Sequence, residues 1–329
     1  MKSVLSLVLA TVTMLGAKVD EYDPLKVPEV VIVSNTFDVK DSARQRIIPV
    51  RVYLPETKQP APVILFSHGL GGSRDNNPYL GNHWAKRGYI VVFIQHPGSD
   101  ESVWKDVSLG QRMGAMKQAA SPGNFVERNK DVPAVIDALT SWNADKENPL
   151  HDRFDLKHIG MSGHSFGAVT TQSMAGQSAA GGRVSFAEPR LTAAVMMSPS
   201  PPAMGDPAKA FQSITIPCLL MTGTLDNSPI GNSSAEDRLR VFPNLTNAPA
   251  WQVVFDGATH MSFGERDLRG NSEIGNRYHK VILALTSAFW DAQLRGSADA
   301  KTWLNGAGAK SLMVDADKWE INAKAKSSP

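Results

Sequence analysis

The run Ile159-Gly160-Met161-Ser162-Gly163-His164-Ser165-Phe166-Gly167-Ala168 reads as a short apolar strand, a tight turn with glycine on both sides of a serine, and the start of a helix. The glycines have a steric reason. A serine that must stand clear of a sheet edge sits on a sharp, strained turn, and side chains at positions 163 and 167 would collide with the neighbouring strand and helix. Ser165 is therefore the first candidate nucleophile, and the rest of the chain has to supply its partners.

Working outward, the chain alternates strand-like and helix-like segments. Residues 29–34 and 47–54 alternate as two antiparallel edge strands would. Val63 to Phe66 and Tyr89 to Ile94 are continuous apolar runs, expected of strands buried on both faces. Leu191 to Met197, Ile216 to Thr222 and Trp251 to Phe255 read in the same way. Helical patterns lie between them, at Tyr79 to Arg87, Asp131 to Trp142, Ala168 to Ala175, 234–241 and 274–294. This order predicts an α/β fold, a mostly parallel central sheet flanked by helices.

In open α/β sheets the reactive groups lie beyond the carboxyl ends of the strands. Three places satisfy this. Besides Ser165, the strand ending at Met221 runs through Thr222-Gly223-Thr224-Leu225 into Asp226, and the strand ending at Phe255 runs through Asp256-Gly257-Ala258-Thr259 into His260. A neutral imidazole can take a serine proton near pH 7, and a carboxylate can orient that imidazole and stabilise its positive form. His260 is the expected base and Asp226 the expected acid, with Asp256 a rival whose place at the strand end is awkward. The oxyanion donors are expected to be the backbone N–H groups of Phe166, directly after the nucleophile, and of Leu70, in the Gly-rich turn after His68. His164 reads as structural or pocket-lining, and His68 as packed behind the turn.

Composition narrows the function. A formal net charge of +2 without a dense Lys/Arg run argues against nucleic acid as the main partner. Cys218, the single cysteine, excludes an internal disulfide and lies in an apolar run that reads as a buried strand. His83 and His96 lack metal-ligand spacing partners, so no metal site is expected. Residues 1–17 carry Lys2, a short apolar stretch and a small-residue end, the pattern of a signal peptide, although Leu15 is imperfect for cleavage after Ala17. That stretch is too short for a stable membrane span. The catalytic unit is then 28–296, and 297–329 is an extension without a reading.

As a set, these motifs resemble the α/β-hydrolases grouped around platelet-activating-factor acetylhydrolase, cutinase-type polyester hydrolases and dienelactone hydrolase. The matching pieces are Phe66-Ser67-His68-Gly69-Leu70-Gly71-Gly72, Gly88-Tyr89-Ile90-Val91-Val92, His96-Pro97-Gly98-Ser99, Arg128-Asn129-Lys130-Asp131, Gly163-His164-Ser165-Phe166-Gly167, Leu225-Asp226 and Gly257-Ala258-Thr259-His260. The resemblance implies a serine carboxylester hydrolase that needs no cofactor, acts on a small-molecule or lipid-like ester, and uses Leu70 and Phe166 as oxyanion donors. Ser165 stands where dienelactone hydrolases carry cysteine, and Cys218 lacks the partner that secreted polyester hydrolases supply. The short connection Ser198 to Thr215 leaves no room for a large lid domain, which favours short acyl groups. Gly69, His164, Trp104 and Met261 are the expected pocket residues. The segment Gly98 to Asn124, with Trp104, Met113 and Met116, is either a pocket wall or a helix packed on the core. The alternatives are a polyester hydrolase, a thioesterase or a peptidase using the same three residues, or a non-catalytic binding protein on the same scaffold.

Overall fold

A computed structural model describes residues 22–264 and 272–327; the expected signal segment lies outside them. Nine strands form one sheet: β1 (Val33–Asp41), β2 (Arg46–Leu54), β3 (Ala61–Ser67), β4 (Ile90–Ile94), β5 (Phe154–His164), β6 (Leu191–Met197), β7 (Cys218–Leu225), β8 (Ala250–Thr259) and β9 (Lys318–Ile321). Their order is β1-β2-β4-β3-β5-β6-β7-β8-β9. β4 through β8 run parallel, while β1 and β2 at one edge and β9 at the other pair antiparallel. The helices are α1 (Pro78–Lys86), α2 (Ser102–Lys105), α3 (Leu109–Ala119), α4 (Pro122–Ala144), α5 (Phe166–Ala175), α6 (Pro207–Phe211), α7 (Ala235–Arg238), α8 (Ser272–Leu294), α9 (Ala298–Asn305), α10 (Ala307–Lys310) and α11 (Ala323–Ser327).

The unbroken apolar runs divide by strand periodicity. Ile64, Phe66, Val91, Phe93, Val195, Met197, Leu219 and Met221 face α1 and α8, where Leu80, Trp84, Val281, Phe289 and Trp290 meet them. Val63, Leu65, Ile90, Val92 and Ile94 turn to the other face and pack on Val132, Val135, Ile136 and Leu139 of α4. Ala194, Met196, Cys218 and Leu220 continue that face against Ala168 of α5 and Phe211 of α6. Burial pushes the Cys218 thiol up to about 12, so it behaves as a small core side chain.

Two sequence expectations need correction. The first edge strand is Val33–Asp41 and not 29–34. The short turn after Asp41 fixes the register, placing Phe37 opposite Val50 and Val39 opposite Ile48, whereas Val31 is 94% exposed. The helix expected from Asp131 begins at Pro122, nine residues earlier. Ser121 caps it, accepting from the Asn124 N–H at 3.1 Å, with Pro122 in the first turn, and the helix continues through Pro133.

The C-terminal stretch joins the sheet. β9 covers the β8 edge, pairing Trp251 with Ile321 and Val253 with Trp319. Asp317, its side chain fully buried, accepts from the Asp256 N–H at 2.8 Å and from Arg277 at 2.7 Å. Residues 297–327 thus brace the strand that leads to His260.

Candidate active site

Ser165 joins β5 to α5 at the centre of the sheet, with φ 58° and ψ −117°, a strained conformation for a residue with a side chain. Close packing imposes it. A Cβ at Gly167 would run into the carbonyl oxygen of Ser67 at the end of β3, and one at Gly163 into the Gly167 carbonyl. The Ser165 N–H is held by the Met197 carbonyl at 2.9 Å, which fixes the turn against β6.

The ends of β7 and β8 bring the other two groups to the serine. His260 Nε2 lies 2.8 Å from Ser165 Oγ, and Nδ1 lies 2.7 Å from Asp226 Oδ1. Asp226 is fully buried, and its Oδ2 accepts from Thr222 Oγ1 at 2.9 Å. Burial pulls the Asp226 carboxyl up, but the hydrogen bond from His260 and the charge of Arg238 hold it below the usual carboxylate range. With Asp226 ionised, Nδ1 carries the proton and Nε2 is free to accept from the serine hydroxyl. Asp256 is exposed and takes no part, its Oδ1 lying 3.5 Å from Thr224 Oγ1.

The turn after β3 runs beside the serine. A Cβ on Gly69 would lie 3.4 Å from that of Ser165. His68 accepts the His96 N–H at Nε2 (3.0 Å), so its Nδ1–H donates to the Gly69 carbonyl at 2.6 Å, where the Gly72 N–H also donates at 3.0 Å. Across a trans peptide this points the Leu70 N–H the opposite way. The Gly71 N–H is engaged by the Ser99 carbonyl at 2.8 Å, but neither Leu70 nor Phe166 donates its N–H to an acceptor among the described residues. These are the two N–H groups expected to receive an oxyanion.

The expected pocket residues divide. Trp104 of α2 donates Nε1–H to the Gly71 carbonyl at 2.7 Å and so braces the turn that carries Leu70. Met261 is half-buried in the turn that follows His260. His164 stands behind His260, donating Nε2–H to its carbonyl at 3.0 Å with the two rings 4.8 Å apart. Burial, then the neighbouring His260, lowers it to about 3, so it stays neutral. The 98–124 segment is no helix packed on the core, since Ala119 is the buried residue of α3 and Leu109 and Met113 are 81% and 50% exposed.

Sequence reasoning missed Arg238. The Ser234/Asp237 capping box starts α7 and places Arg238 at its end, against Asp226. Its Nε donates to the Asp226 carbonyl at 2.7 Å and lies 3.0 Å from Oδ1. Nη1 donates to the Ser198 and Pro199 carbonyls at 2.8 and 3.0 Å. A polar Ser-Ser-Ala-Glu-Asp-Arg segment reads as a solvated face, and nothing in it but the capping box signals a buried arginine.

Comparison with known proteins bears on the fold. The sequence profile of the X-Pro dipeptidyl-peptidase (S15) family matches residues 46–188, a span that includes Ser165 and ends before Asp226. A cutinase from Thermobifida alba is 22% identical over 211 residues, 64% of this chain; the match spans 57% of the cutinase's length. The solved structure of a ferulic acid esterase from Streptomyces cinnamoneus superposes with a TM-score of 0.56 at 19% identity, over 82% of this chain and 92% of that one. The fold of this chain is therefore that of the α/β-hydrolases.

Proposed function

We propose that the protein hydrolyses carboxylic esters through an acyl-enzyme at Ser165. The observation that carries this reading is the chain Ser165 Oγ–His260–Asp226, with links of 2.8 and 2.7 Å, set beside two N–H groups without acceptors. As Oγ attacks the ester carbonyl, its proton passes to His260 Nε2, and the imidazolium is stabilised by Asp226. The tetrahedral oxyanion takes hydrogen bonds from the Leu70 and Phe166 N–H groups. When the C–O bond breaks, the alcohol leaves with the proton held on Nε2. Water then gives a proton to Nε2 as it attacks the acyl carbon, and Ser165 departs with that proton, leaving a free carboxylic acid. No step calls for a cofactor.

Short acyl groups on a small-molecule or lipid-like ester fit best, because the connection from β6 to β7 holds one five-residue helix, α6, where a large lid would stand. Export belongs to the same proposal and rests on residues 1–17. No helix among the described residues is long and apolar enough to cross a membrane. The S15 profile match favours one second reading, cleavage of a peptide bond by the same groups.

The test is a series of p-nitrophenyl esters from acetate to palmitate, with X-Pro p-nitroanilides in parallel. A preference for acetate or butyrate, with negligible anilide cleavage, is the expected result. Faster anilide cleavage would favour the peptidase, and turnover only of long chains would overturn the short-acyl assignment.

A further inference from the structure

Behind the oxyanion turn lies a second group of buried polar side chains that the chemistry above leaves unused. Arg128 of α4 is fully buried, and among the described residues no carboxylate comes within 4 Å of it. Its partners are neutral. Nε donates to Thr170 Oγ1 at 3.0 Å, Nη1 to Ser99 Oγ at 3.0 Å, and Nη2 to Ser67 Oγ at 2.8 Å and the His68 carbonyl at 2.5 Å. The guanidinium lies 4.6 Å from the centre of the Phe166 ring.

Each of these contacts belongs to the oxyanion site. The His68 carbonyl precedes the Gly69–Leu70 peptide, and Phe166 supplies the other N–H. Thr170 lies one turn along α5 from Phe166. Ser67 receives the Nη2 proton and so gives its own to His96 Nε2 at 2.9 Å, which leaves His96 Nδ1–H to Asp131 Oδ2 at 3.0 Å. Asp131 is itself held by Arg44 and Arg46, at 2.9 and 2.8 Å. Ser67, His96 and Asp131 repeat the residue types of the reactive chain, but all three are fully buried, so they order the turn and cannot meet substrate.

Holding an arginine out of water with no carboxylate in contact is costly, and a core of this size could use an apolar residue there. Burial lowers its pKa to about 9, which still leaves it charged at neutral pH. On the reading that Ser165 is acylated, we propose that Arg128 is a positioning residue for the oxyanion site: its fork ties the turn carrying Leu70 to the helix carrying Phe166, and its charge stands on the His68 carbonyl and against the Phe166 ring. A fixed cation there favours the tetrahedral state over the neutral ester.

The test compares Arg128→Lys and Arg128→Gln with wild type on p-nitrophenyl acetate, with active sites titrated so that rates refer to folded enzyme. A trifluoromethyl ketone, which forms a tetrahedral adduct, serves as the transition-state probe. The expected result is kcat at least 30-fold lower in Arg128→Gln, KM within about threefold, and ketone affinity falling in step with kcat/KM. A merely structural role would lower the titrated fraction and leave kcat per titrated site unchanged, which overturns the proposal. Should neither variant fold, Thr170→Val keeps the charge and removes one tie; a three- to tenfold loss of kcat at constant KM is expected, and no loss overturns it. A Ser165→Ala control that retains activity would instead reject the acyl-enzyme reading, whatever the Arg128 variants do.

Discussion

Arg238 Nη2 lies 3.2 Å from His260 Nδ1 while Arg238 Nε lies 3.0 Å from the carboxylate of Asp226, so one buried guanidinium touches both His260 and Asp226. With Nδ1 protonated toward Asp226, the approach of Nη2 is a contact between two N–H groups and not a hydrogen bond. The arginine therefore acts through Asp226, fixing its backbone and one of its oxygens. Arg238→Met is expected to lower kcat about 10- to 100-fold, the rate equivalent of ~1.5–3 kcal/mol for hydrogen bonds to a charged group. Arg238→Lys should recover part of it. Steady-state kinetics with matched circular dichroism checks this, and an unchanged kcat in Arg238→Met would remove Arg238 from the site.

Gly167 tests the elbow itself. Because a Cβ there meets the Ser67 backbone carbonyl, neither β3 nor α5 can yield without moving the other. Gly167→Ala is expected to destabilise the fold by at least ~3 kcal/mol or to prevent soluble expression. Chemical denaturation measures it.

Acid stability follows from the buried histidines. Burial, reinforced by the charge of Arg128, lowers His96 to about 4, and burial with His260 lowers His164 to about 3. In the unfolded chain each protonates near 6.5. As pH falls below 6.5 the unfolded state gains protons that the folded state refuses, so stability is full above 6.5 and declines until the folded values are reached. For His96 alone the loss is on the order of 3 kcal/mol. Asp131, where Arg46 and His96 outweigh burial and hold the carboxyl near 2, adds a second decline below about 3.8. Urea unfolding at pH 7.5, 6, 5 and 4 should give steadily lower free energies, and His96→Gln should flatten the curve. A level profile from 7.5 to 4 would contradict the assignment of these side chains as neutral.

Asp317 tests the link between the C-terminal segment and the site. It holds Arg277 and the Asp256 N–H, four residues before His260. Asp317→Ala should cost about 2 kcal/mol and lower kcat more than it raises KM, because the base loses its support while the nucleophile does not. Thermal melts and kinetics together decide it.

Much of this was legible in the sequence, for reasons that particular residues make clear. Doubly buried strands such as Val63–Phe66 and Leu191–Met197 announce themselves as apolar runs, and the strand-end positions of Ser165, Asp226 and His260 follow from the alternation of strands with helices. Edge strand β1 was misplaced because 29–34 is the more apolar stretch, while register is set by the turn after Asp41. The apolar stripe of α4 begins only at Val132, and the turns before it bury Arg128 and Asn129 in its place, so the start of the helix and the placement of Arg128 stay hidden in the sequence. Arg128 and Arg238 share a deeper difficulty. A buried arginine is recognised by the acceptors that surround it, and these come from segments distant in the chain.

The central claim is that Ser165 carries the acyl group, and covalent trapping tests it most directly. The protein is treated with a fluorophosphonate, and its mass and peptide map are recorded beside those of Ser165→Ala and His260→Ala. One phosphonyl group on the peptide containing Ser165, absent from Ser165→Ala and strongly slowed in His260→Ala, is the result this account predicts. Labelling of another residue, or hydrolysis of p-nitrophenyl acetate undiminished in Ser165→Ala, would contradict it.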